Sequence, residues 1–245
     1  MKGVIIAGGL GSRLYPLTYA TNKHLLPVYD RPMVFYPIQT LVNAGVKEIL
    51  MVVGGPYAGH FVRVLKNGKE LGIKHLEFAY QENEGGIAEA LSLAEDFSDS
   101  DPVCVILGDN CTDADIGREV MDFTEGALIF IKKVPNPEKF GVPRFNRKRK
   151  IISIHEKPRK PASNYAVSGL YVYDSTVFSK IKKLKPSGRG ELEITDVNNA
   201  YIKEGTLNHS VLKGYWRDAG SFDTLLEANK YWASKALKKI VSPNL

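Results

Sequence analysis

Cysteine is scarce in this chain, which has Cys104 and Cys111 among its 245 residues. Their spacing matches neither a zinc site nor a Cys-x-x-Cys redox pair, which excludes a disulfide framework and a zinc finger. We expect both thiols to be reduced. Cys104 is predicted to lie in the core, whereas Cys111 could be either packed or exposed.

Long apolar runs are also missing from the sequence. No stretch approaches the roughly twenty apolar residues that cross a bilayer. The first residues, Met1-Lys2-Gly3, lead directly into a strand-like run and show no signal-peptide pattern. We therefore expect a cytoplasmic protein with no membrane association.

Two common nucleotide-binding motifs are absent or incomplete. No P-loop string occurs, and Leu14 stands where the dinucleotide fingerprint that begins at Gly9 and Gly11 needs its third glycine. Asp30 lies about where a ribose-binding acid would follow, so weak support for that fingerprint survives. Because we also find no hydride-transfer site and no nucleophile–base pair, a nicotinamide dehydrogenase and covalent catalysis are disfavoured.

Positive charge is in modest excess, with 33 Lys and Arg against 27 Asp and Glu and a formal charge of +6. The densest basic cluster, at 144–150, lies between strand-like stretches and is predicted to be a solvated hairpin turn. It has no interleaved aromatic residues and no nucleic-acid motif, so we expect no nucleic-acid partner. A basic balance also suits a protein that binds polyphosphates.

Short apolar runs alternate with helical patterns, which predicts an α/β protein with a mainly parallel, mixed sheet flanked by helices. We expect a single domain over residues 1–245, with a nucleotide-binding half (about 1–125) and a sugar-phosphate-binding half (about 126–245). Strands are predicted at 4–7, 49–53, 76–80, 103–107, 128–133, 151–155, 167–173 and 207–212. Helices are predicted at 35–44, 57–66, 87–94, 177–184, 194–204 and 222–236, the last with Ser221 as N-cap.

A glycine-rich loop follows the first strand. Gly8, Gly9 and Gly11 are followed by Ser12 and Arg13. Glycines let backbone N–H groups approach a phosphate, and an arginine adds a fixed positive fork beside it. The alternative is a tight strand-to-helix turn with an exposed arginine.

Several charged residues follow other predicted strands. Asp109 follows the strand 103–107 and could hold Mg²⁺ over the glycine loop, as could Asp218 after the strand 207–212. Both are also ordinary turn or capping residues. Glu156 and Lys157 could hold a sugar and an anion, or form a surface ion pair. Taken alone, Lys23 is unremarkable, and the adjacent His24 is expected to be structural.

Taken together, these segments resemble the sugar-nucleotide pyrophosphorylases, and most closely the glucose-1-phosphate thymidylyltransferases among them. The resemblance covers residues 1 to about 232. Its strongest parts are residues 8–18 and 22–28. Further agreement lies at 107–110, 156–158, 164–171 and 190–198.

The resemblance implies a reaction in which dTTP and α-D-glucose 1-phosphate form dTDP-glucose and pyrophosphate with Mg²⁺ as cofactor, at the entry to dTDP-rhamnose synthesis. The implied fold is the Rossmann-like nucleotide-diphospho-sugar transferase type. In this family, Arg13, Lys23, Asp109 and Lys157 would be catalytic, and Asp109 and Asp218 would bind the metal. The nucleotide would contact Gly8, Gly9, Gly11, Ser12, Arg13, Gln81, Gly86 and Asp109. The sugar phosphate would contact Asn110, Gly141, Glu156, Lys157, Val167 and Tyr171.

Some positions depart from the family pattern. Pro143-Arg144 stands where an apolar–acidic pair is usual, and His155 stands where an acid is common. The chain also ends before the longer bacterial members do, so we expect the helices that help form a regulatory site between subunits to be missing. We expect a homo-oligomer. Alternative functions are a UTP-using or relaxed-specificity enzyme and a non-catalytic sugar-nucleotide-binding regulator.

Overall fold

A computed structural model describes residues 1–241, with side chains described to residue 237. The strands are β1 Lys2–Ala7, β2 Pro27–Val28, β3 Arg31–Pro32, β4 Glu48–Gly54, β5 His75–Gln81, β6 Val103–Leu107, β7 Asn110–Thr112, β8 Ala127–Lys133, β9 Gly141–Phe145, β10 Ile151–Glu156, β11 Tyr165–Tyr173, β12 Leu207–Val211 and β13 Trp216–Asp218. The helices are α1 Phe35–Asn43, α2 Ala58–Leu65, α3 Ile87–Ser92, α4 Glu95–Ser98, α5 Gly117–Met121, α6 Val177–Ile181, α7 Ile194–Glu204 and α8 Phe222–Val241.

The main sheet has seven strands in the order β12-β8-β11-β6-β1-β4-β5. Strand β11 is antiparallel to both of its neighbours, and the other pairs are parallel. The predicted mixed, mainly parallel sheet is therefore confirmed. Because β1 and β6 are adjacent and parallel, the loops after their carboxyl ends meet at one edge of the sheet, where α/β proteins bind ligands.

Apolar residues of β1 contribute to the hydrophobic cores on both faces of the sheet. Val4 and Ile6 pack in one core cluster with α3, α6 and α7, whereas Ile5 and Ala7 pack in the other with α1, α2 and α5. Successive side chains of a strand point to opposite faces, so a strand covered by helices on both sides must be apolar throughout. The unbroken apolar run at 4–7 is therefore the pattern that predicts a buried parallel strand.

Two small ladders complete the site region. Strands β9 and β10 form an antiparallel hairpin, and the basic cluster lies at its turn, as predicted. Strands β7 and β13 pair antiparallel although about a hundred residues separate them. The sequence analysis missed β7, β9 and β13, because short strands paired outside the main sheet have no distinctive apolar run.

Helix positions agree with the predictions better than helix ends do. Helix α7 has the predicted bounds, and Gly205, with φ of 78°, ends it in the left-handed conformation that suits glycine. The prediction at 87–94 was too long, since α3 ends at Ser92 and a separate turn, α4, follows. The carbonyl of Ser221 accepts from Leu225 N at 2.8 Å, as expected of an N-cap, but its hydroxyl contacts the Thr224 hydroxyl at 2.9 Å.

Helix α8 packs against β13 and α1. Tyr231 stacks on Tyr215 with ring centroids 3.7 Å apart, and Trp232 lies 4.5 Å from the ring of Tyr36. Cys111 is buried beneath this helix, which decides between the two alternatives for that thiol, and Cys104 is buried in the sheet as predicted. No helix in the part of the chain that the structure describes is long and apolar enough to cross a membrane.

Candidate active site

A cleft of about 600 Å³ opens at the carboxyl ends of β1 and β6. Of the sixteen predicted site residues, all but Gly8 line it. Gly8 instead lies directly beneath the lining, because a Cβ at that position would come within 2.2 Å of Oε1 of Gln81. Tertiary folding thus brings together residues that are spread from position 9 to position 218.

The glycine loop leaves β1 as a tight turn. Gly11 has φ of 74°, a left-handed conformation that an L side chain rarely adopts, and its carbonyl accepts from Leu14 N at 2.9 Å. A short 3₁₀ turn, Ser12–Leu14, follows. Arg13 projects from this turn with 63% of its side chain exposed, so its guanidinium is available to a ligand in the cleft.

Asp109 and Asp218 converge through the β7–β13 ladder. Asp218 is paired with Asn110, and the backbone N–H of Ala219 donates to the carbonyl of Asp109 at 2.9 Å. A Cβ built on Gly220 would lie 2.8 Å from Oδ1 of Asp218 and 3.2 Å from Oδ2 of Asp109. Both carboxylates therefore border Gly220, where a larger residue would crowd them.

Two cations accompany these carboxylates. Lys23 Nζ lies 2.6 Å from Oδ2 of Asp109, and Arg13 Nη2 lies 3.9 Å from Oδ2 of Asp218. Burial would raise the pKa of Asp109, but the adjacent Lys23 outweighs it and holds that pKa below its ordinary value. Burial, followed by the charge of Asp109, raises the pKa of Asp218. The two acids thus differ in how readily they give up a proton.

His24 lies behind this group and has the structural role expected of it. Its Nδ1 is 2.7 Å from Oδ1 of Asn22, and the same oxygen accepts from His24 N at 3.0 Å. Burial, followed by the charge of Lys23, lowers the pKa of His24 to about 3, so the ring is neutral at pH 7. A neutral imidazole adds no positive charge beside Lys23.

The opposite wall of the cleft contains the predicted sugar-phosphate residues. Gly141 and Glu156 are paired across the β9–β10 hairpin, and the Thr195 hydroxyl donates to Oε2 of Glu156 at 2.7 Å. A Cβ at Gly141 would lie 3.3 Å from that same Oε2. Lys157, which is half exposed, donates its backbone N–H to the carbonyl of Phe140 at 3.0 Å. This wall combines carboxylate and hydroxyl acceptors with two lysines, Lys139 and Lys157.

Strand β11 and the β7–β13 ladder form the floor. Val167 and Tyr171 are buried on β11, and between them the register shifts at Gly169, which has φ of 77°. Nδ2 of Asn110 would lie 3.1 Å from a Cβ at Gly169, so the irregular strand makes room for this amide. The indole N–H of Trp216 donates to Oδ1 of Asn110 and fixes the amide orientation.

Sequence reasoning missed several residues of this cleft. Thr195 and Glu191 lie in the segment 190–198, which was recognised only as a family string, and Trp216 precedes Asp218. For Thr195, the available signal was its position within that segment. Nothing local indicated that Trp216 would orient Asn110, because the two residues are 106 positions apart.

The pair of carboxylates suits a divalent cation shared with a substrate. Among the side chains described, those of residues 1–237, no three His, Cys, Asp or Glu gather into a site that could hold a metal ion. Mg²⁺ commonly takes one or two carboxylates and completes its shell with phosphate oxygens and water. The donor set at Asp109 and Asp218 fits that pattern.

Comparison with known proteins agrees with this geometry. Residues 2–235 match the family model described as nucleotidyl transferase. Glucose-1-phosphate thymidylyltransferases of Neisseria meningitidis and Mycolicibacterium smegmatis are 42% and 43% identical, each over 94% of this chain and 82% of its own length. A crystal structure of a Bacillus anthracis protein, assigned as a glucose-1-phosphate thymidylyltransferase and solved in complex with sucrose, is 48% identical. The structural match covers 94% of each of the two chains, with a TM-score of 0.90. A UDP-glucose pyrophosphorylase complexed with UDP-glucose shares the fold, with a TM-score of 0.83 at 23% identity, covering 96% of this chain and 98% of its own.

Proposed function

The chain belongs to the nucleotidyl transferase family, and we propose that it joins dTTP to α-D-glucose 1-phosphate, forming dTDP-glucose and releasing pyrophosphate. One observation carries the proposal. Arg13, Lys23, Asp109 and Asp218 meet in one cleft in a chain 42–43% identical to thymidylyltransferases. Loss of any of these four would have favoured a non-catalytic binding protein.

In this reaction an oxygen of the sugar phosphate attacks the α-phosphorus of dTTP in line. The bond between the α-phosphorus and the bridging oxygen breaks, and pyrophosphate leaves with that oxygen. Because the attacking phosphate is already ionised near pH 7, no side-chain nucleophile is needed. Among the described residues of the cleft, His24 is bonded to Asn22, not to a nucleophile. Catalysis then consists of alignment and charge neutralisation.

Charge at the α-phosphate would be balanced from two directions. Lys23 and Arg13 hold the triphosphate from the glycine-loop side, and the backbone N–H groups of Gly9 and Gly11 approach its oxygens. Asp109 and Asp218 would hold Mg²⁺, which when bound supplies positive charge at the phosphate oxygens. This role of Mg²⁺ is supported by the family and by the two convergent carboxylates.

The remaining predicted contacts divide between the two substrates. Gln81 and Gly86 are proposed to lie at the thymine, with Ser12 on the nucleotide side of the cleft and Gly8 directly beneath it. Lys157 is proposed to bind the sugar phosphate. The hydroxyls of the sugar would bond to Asn110 and Glu156. The sugar ring would pack against Gly141, Val167 and Tyr171. The separation of the two groups across the cleft supports an arrangement in which the acceptor phosphate would lie opposite the glycine loop.

Further proposals follow from this activity. We propose that residues 1–245 act as one domain, since a single sheet contains strands from both halves. The product would enter dTDP-rhamnose synthesis. Two buried free thiols and phosphorylated substrates support a cytoplasmic location. A homo-oligomer remains a prediction from the family resemblance.

The test is pyrophosphate release from the purified protein with Mg²⁺. Each of dTTP, UTP, dATP and GTP is paired with each of several hexose 1-phosphates, and Asp218→Asn serves as the inactive control. Release confined to dTTP with glucose 1-phosphate supports the proposal. Comparable rates with UTP would keep the reaction and change the base, since one methyl group is worth only about 1–3 kcal/mol in a pocket. Nucleotide binding without release from any pair would favour the regulatory protein.

A further inference from the structure

Gln81, the last residue of β5, has a side-chain amide whose two ends face different surroundings. Its Nε2 donates to Oε2 of Glu89 and lies 3.4 Å from the carbonyl of Gly86. Its Oε1 lies over Gly8, on the glycine-loop side of the residue. Only 8% of Gln81 is exposed, so the amide is held in place by these neighbours.

Glu89 determines which end of the amide faces the glycine loop. An ionised carboxylate and a backbone carbonyl both accept hydrogen bonds and cannot donate them. With Glu89 and Gly86 both facing one end, that end must be the NH₂ group. The carbonyl Oε1 is then the end on the glycine-loop side, and it can only accept hydrogen bonds.

The position of Glu89 is itself constrained. It lies in the first turn of α3, and its Cγ, Cβ and Cδ would lie 3.1–3.3 Å from a Cβ at Gly85. The bare backbone of Gly85 thus lets the Glu89 side chain pack closely against it. Among the described residues that line the cleft, Gln81 and Gly86 are present and Glu89 is not.

We propose that Glu89 is a positioning residue that fixes the Gln81 amide so that the cleft offers an acceptor to the nucleobase. The inference rests on the proposed function. An acceptor at this place favours a base whose ring nitrogen carries a hydrogen, as in thymine and uracil. It disfavours cytosine, whose corresponding ring nitrogen is itself an acceptor. Glu89 therefore contributes to base selection without touching the base.

The test measures kcat/KM for dTTP and for dCTP, each with glucose 1-phosphate. Glu89→Gln keeps the size of the side chain but can present an NH₂ group, which frees the Gln81 amide to turn. We expect the dTTP/dCTP ratio to fall about tenfold, the contribution of one ordinary hydrogen bond. The loss should lie mainly in KM for dTTP, with kcat changed less. Glu48→Gln, at the opposite end of the sheet, is the matched control and should leave the ratio unchanged.

A double-mutant cycle with Gln81→Ala separates positioning from general structural damage. If Glu89 acts through Gln81, Glu89→Gln should lower the ratio in the wild-type background and have no further effect in the Gln81→Ala background. Glu89→Ala is measured in parallel and should also lower the ratio, so a poorly folded Gln variant leaves the test standing.

Three outcomes would overturn the inference. An unchanged ratio in well-folded Glu89 variants, or an equal fall in both backgrounds, overturns it while leaving the proposed function intact. Absence of dTTP turnover by the wild-type protein overturns the proposed function, and the inference with it.

Discussion

Lys23 Nζ lies 2.6 Å from Oδ2 of Asp109, so the cation proposed to hold the triphosphate is paired with a carboxylate proposed to hold the metal. Both side chains are nearly buried, with 13% and 8% of their surfaces exposed. The pair balances two charges that would each be costly to bury alone. We expect a bound triphosphate to draw Lys23 toward its own oxygens, which would leave Asp109 available to hold a metal.

This pairing predicts that divalent metal binds weakly before the nucleotide does. Lys23→Met leaves Asp109 without its partner, and we expect Mn²⁺ to bind this variant several-fold more tightly than it binds the nucleotide-free wild-type protein. The measurement is a Mn²⁺ titration followed by electron paramagnetic resonance. Lys74→Met, which removes an exposed lysine paired with Glu48, is the control. Equal affinity in the Lys23→Met and wild-type proteins would contradict the competition.

Replacement of either carboxylate should abolish most metal-dependent turnover. Asp109→Asn and Asp218→Asn keep the side-chain shape but remove a charged oxygen ligand. A loss of two to three kcal/mol of transition-state stabilisation corresponds to about 100-fold in kcat. Steady-state rates across a Mg²⁺ series test this, with the melting temperature as a fold check. Asp122→Asn, which loses only an exposed pairing with Arg118, should behave as wild type. Near-wild-type rates at saturating Mg²⁺ in both variants would rule out the two-carboxylate metal site.

Arg13→Ala should lower kcat more than it weakens dTTP binding. The side chain is mostly exposed and only distantly paired with Asp218 at 3.9 Å, so it is free to follow charge that develops at the α-phosphorus. Loss of one such donor typically costs about 10²–10³-fold in kcat. Steady-state kinetics combined with calorimetric dTTP binding separates the two parameters. An effect limited to KM would instead identify Arg13 as a ground-state phosphate anchor.

Asp113 should make the attachment of α8 dependent on pH. Its Oδ2 accepts from Lys235 Nζ at 2.6 Å and from the Tyr231 hydroxyl. Burial raises the pKa of Asp113, but the hydrogen bonds from Lys235 and Tyr231 outweigh it and hold that pKa below its ordinary value of 3.8. A carboxylate with a lowered pKa stabilises the fold above its unfolded-state pKa, and that stability is lost as the pH falls through the folded-state value.

The corresponding variant is Asp113→Asn, measured by urea unfolding at pH 7 and at steps below pH 4. At pH 7 we expect it to lower the free energy of unfolding by about 1.5–3 kcal/mol, the range for hydrogen bonds to charged groups. The difference from wild type should shrink at acid pH, where Asp113 itself becomes protonated. Asp122→Asn again serves as the control. A difference that is constant from pH 7 down to acid pH would exclude ionised Asp113 as the cause.

Much of the main sheet could be predicted from the sequence because its signals are local. The run at Val4, Ile5 and Ile6 is apolar at every position, which is what a parallel strand covered on both faces requires. The family strings around the glycine loop and Asp109 likewise placed the site residues on the strand ends that the structure shows.

The irregular parts of the site could not be predicted in the same way. Strands β7 and β13 have only three residues each, and their pairing depends on contacts across more than a hundred residues. Glu89 is an unremarkable helical glutamate in the sequence. Its bond to Gln81 depends on how the β5–α3 loop turns back over the strand end.

The amino-acid sequence alone was enough to predict the alternation of strands and helices, the glycine loop and the kinds of side chain available for phosphate and metal, since propensity and apolar pattern act over a few residues. The tertiary structure was needed to show that Asp109 and Asp218 border the same glycine, that Lys23 pairs with Asp109 and that Glu89 accepts a hydrogen bond from Gln81. The first two relationships join parts of the chain far apart in sequence, and they arise when burial of the sheet and its ladders brings those parts together. Gln81 and Glu89 are eight positions apart and meet because the chain turns between β5 and α3.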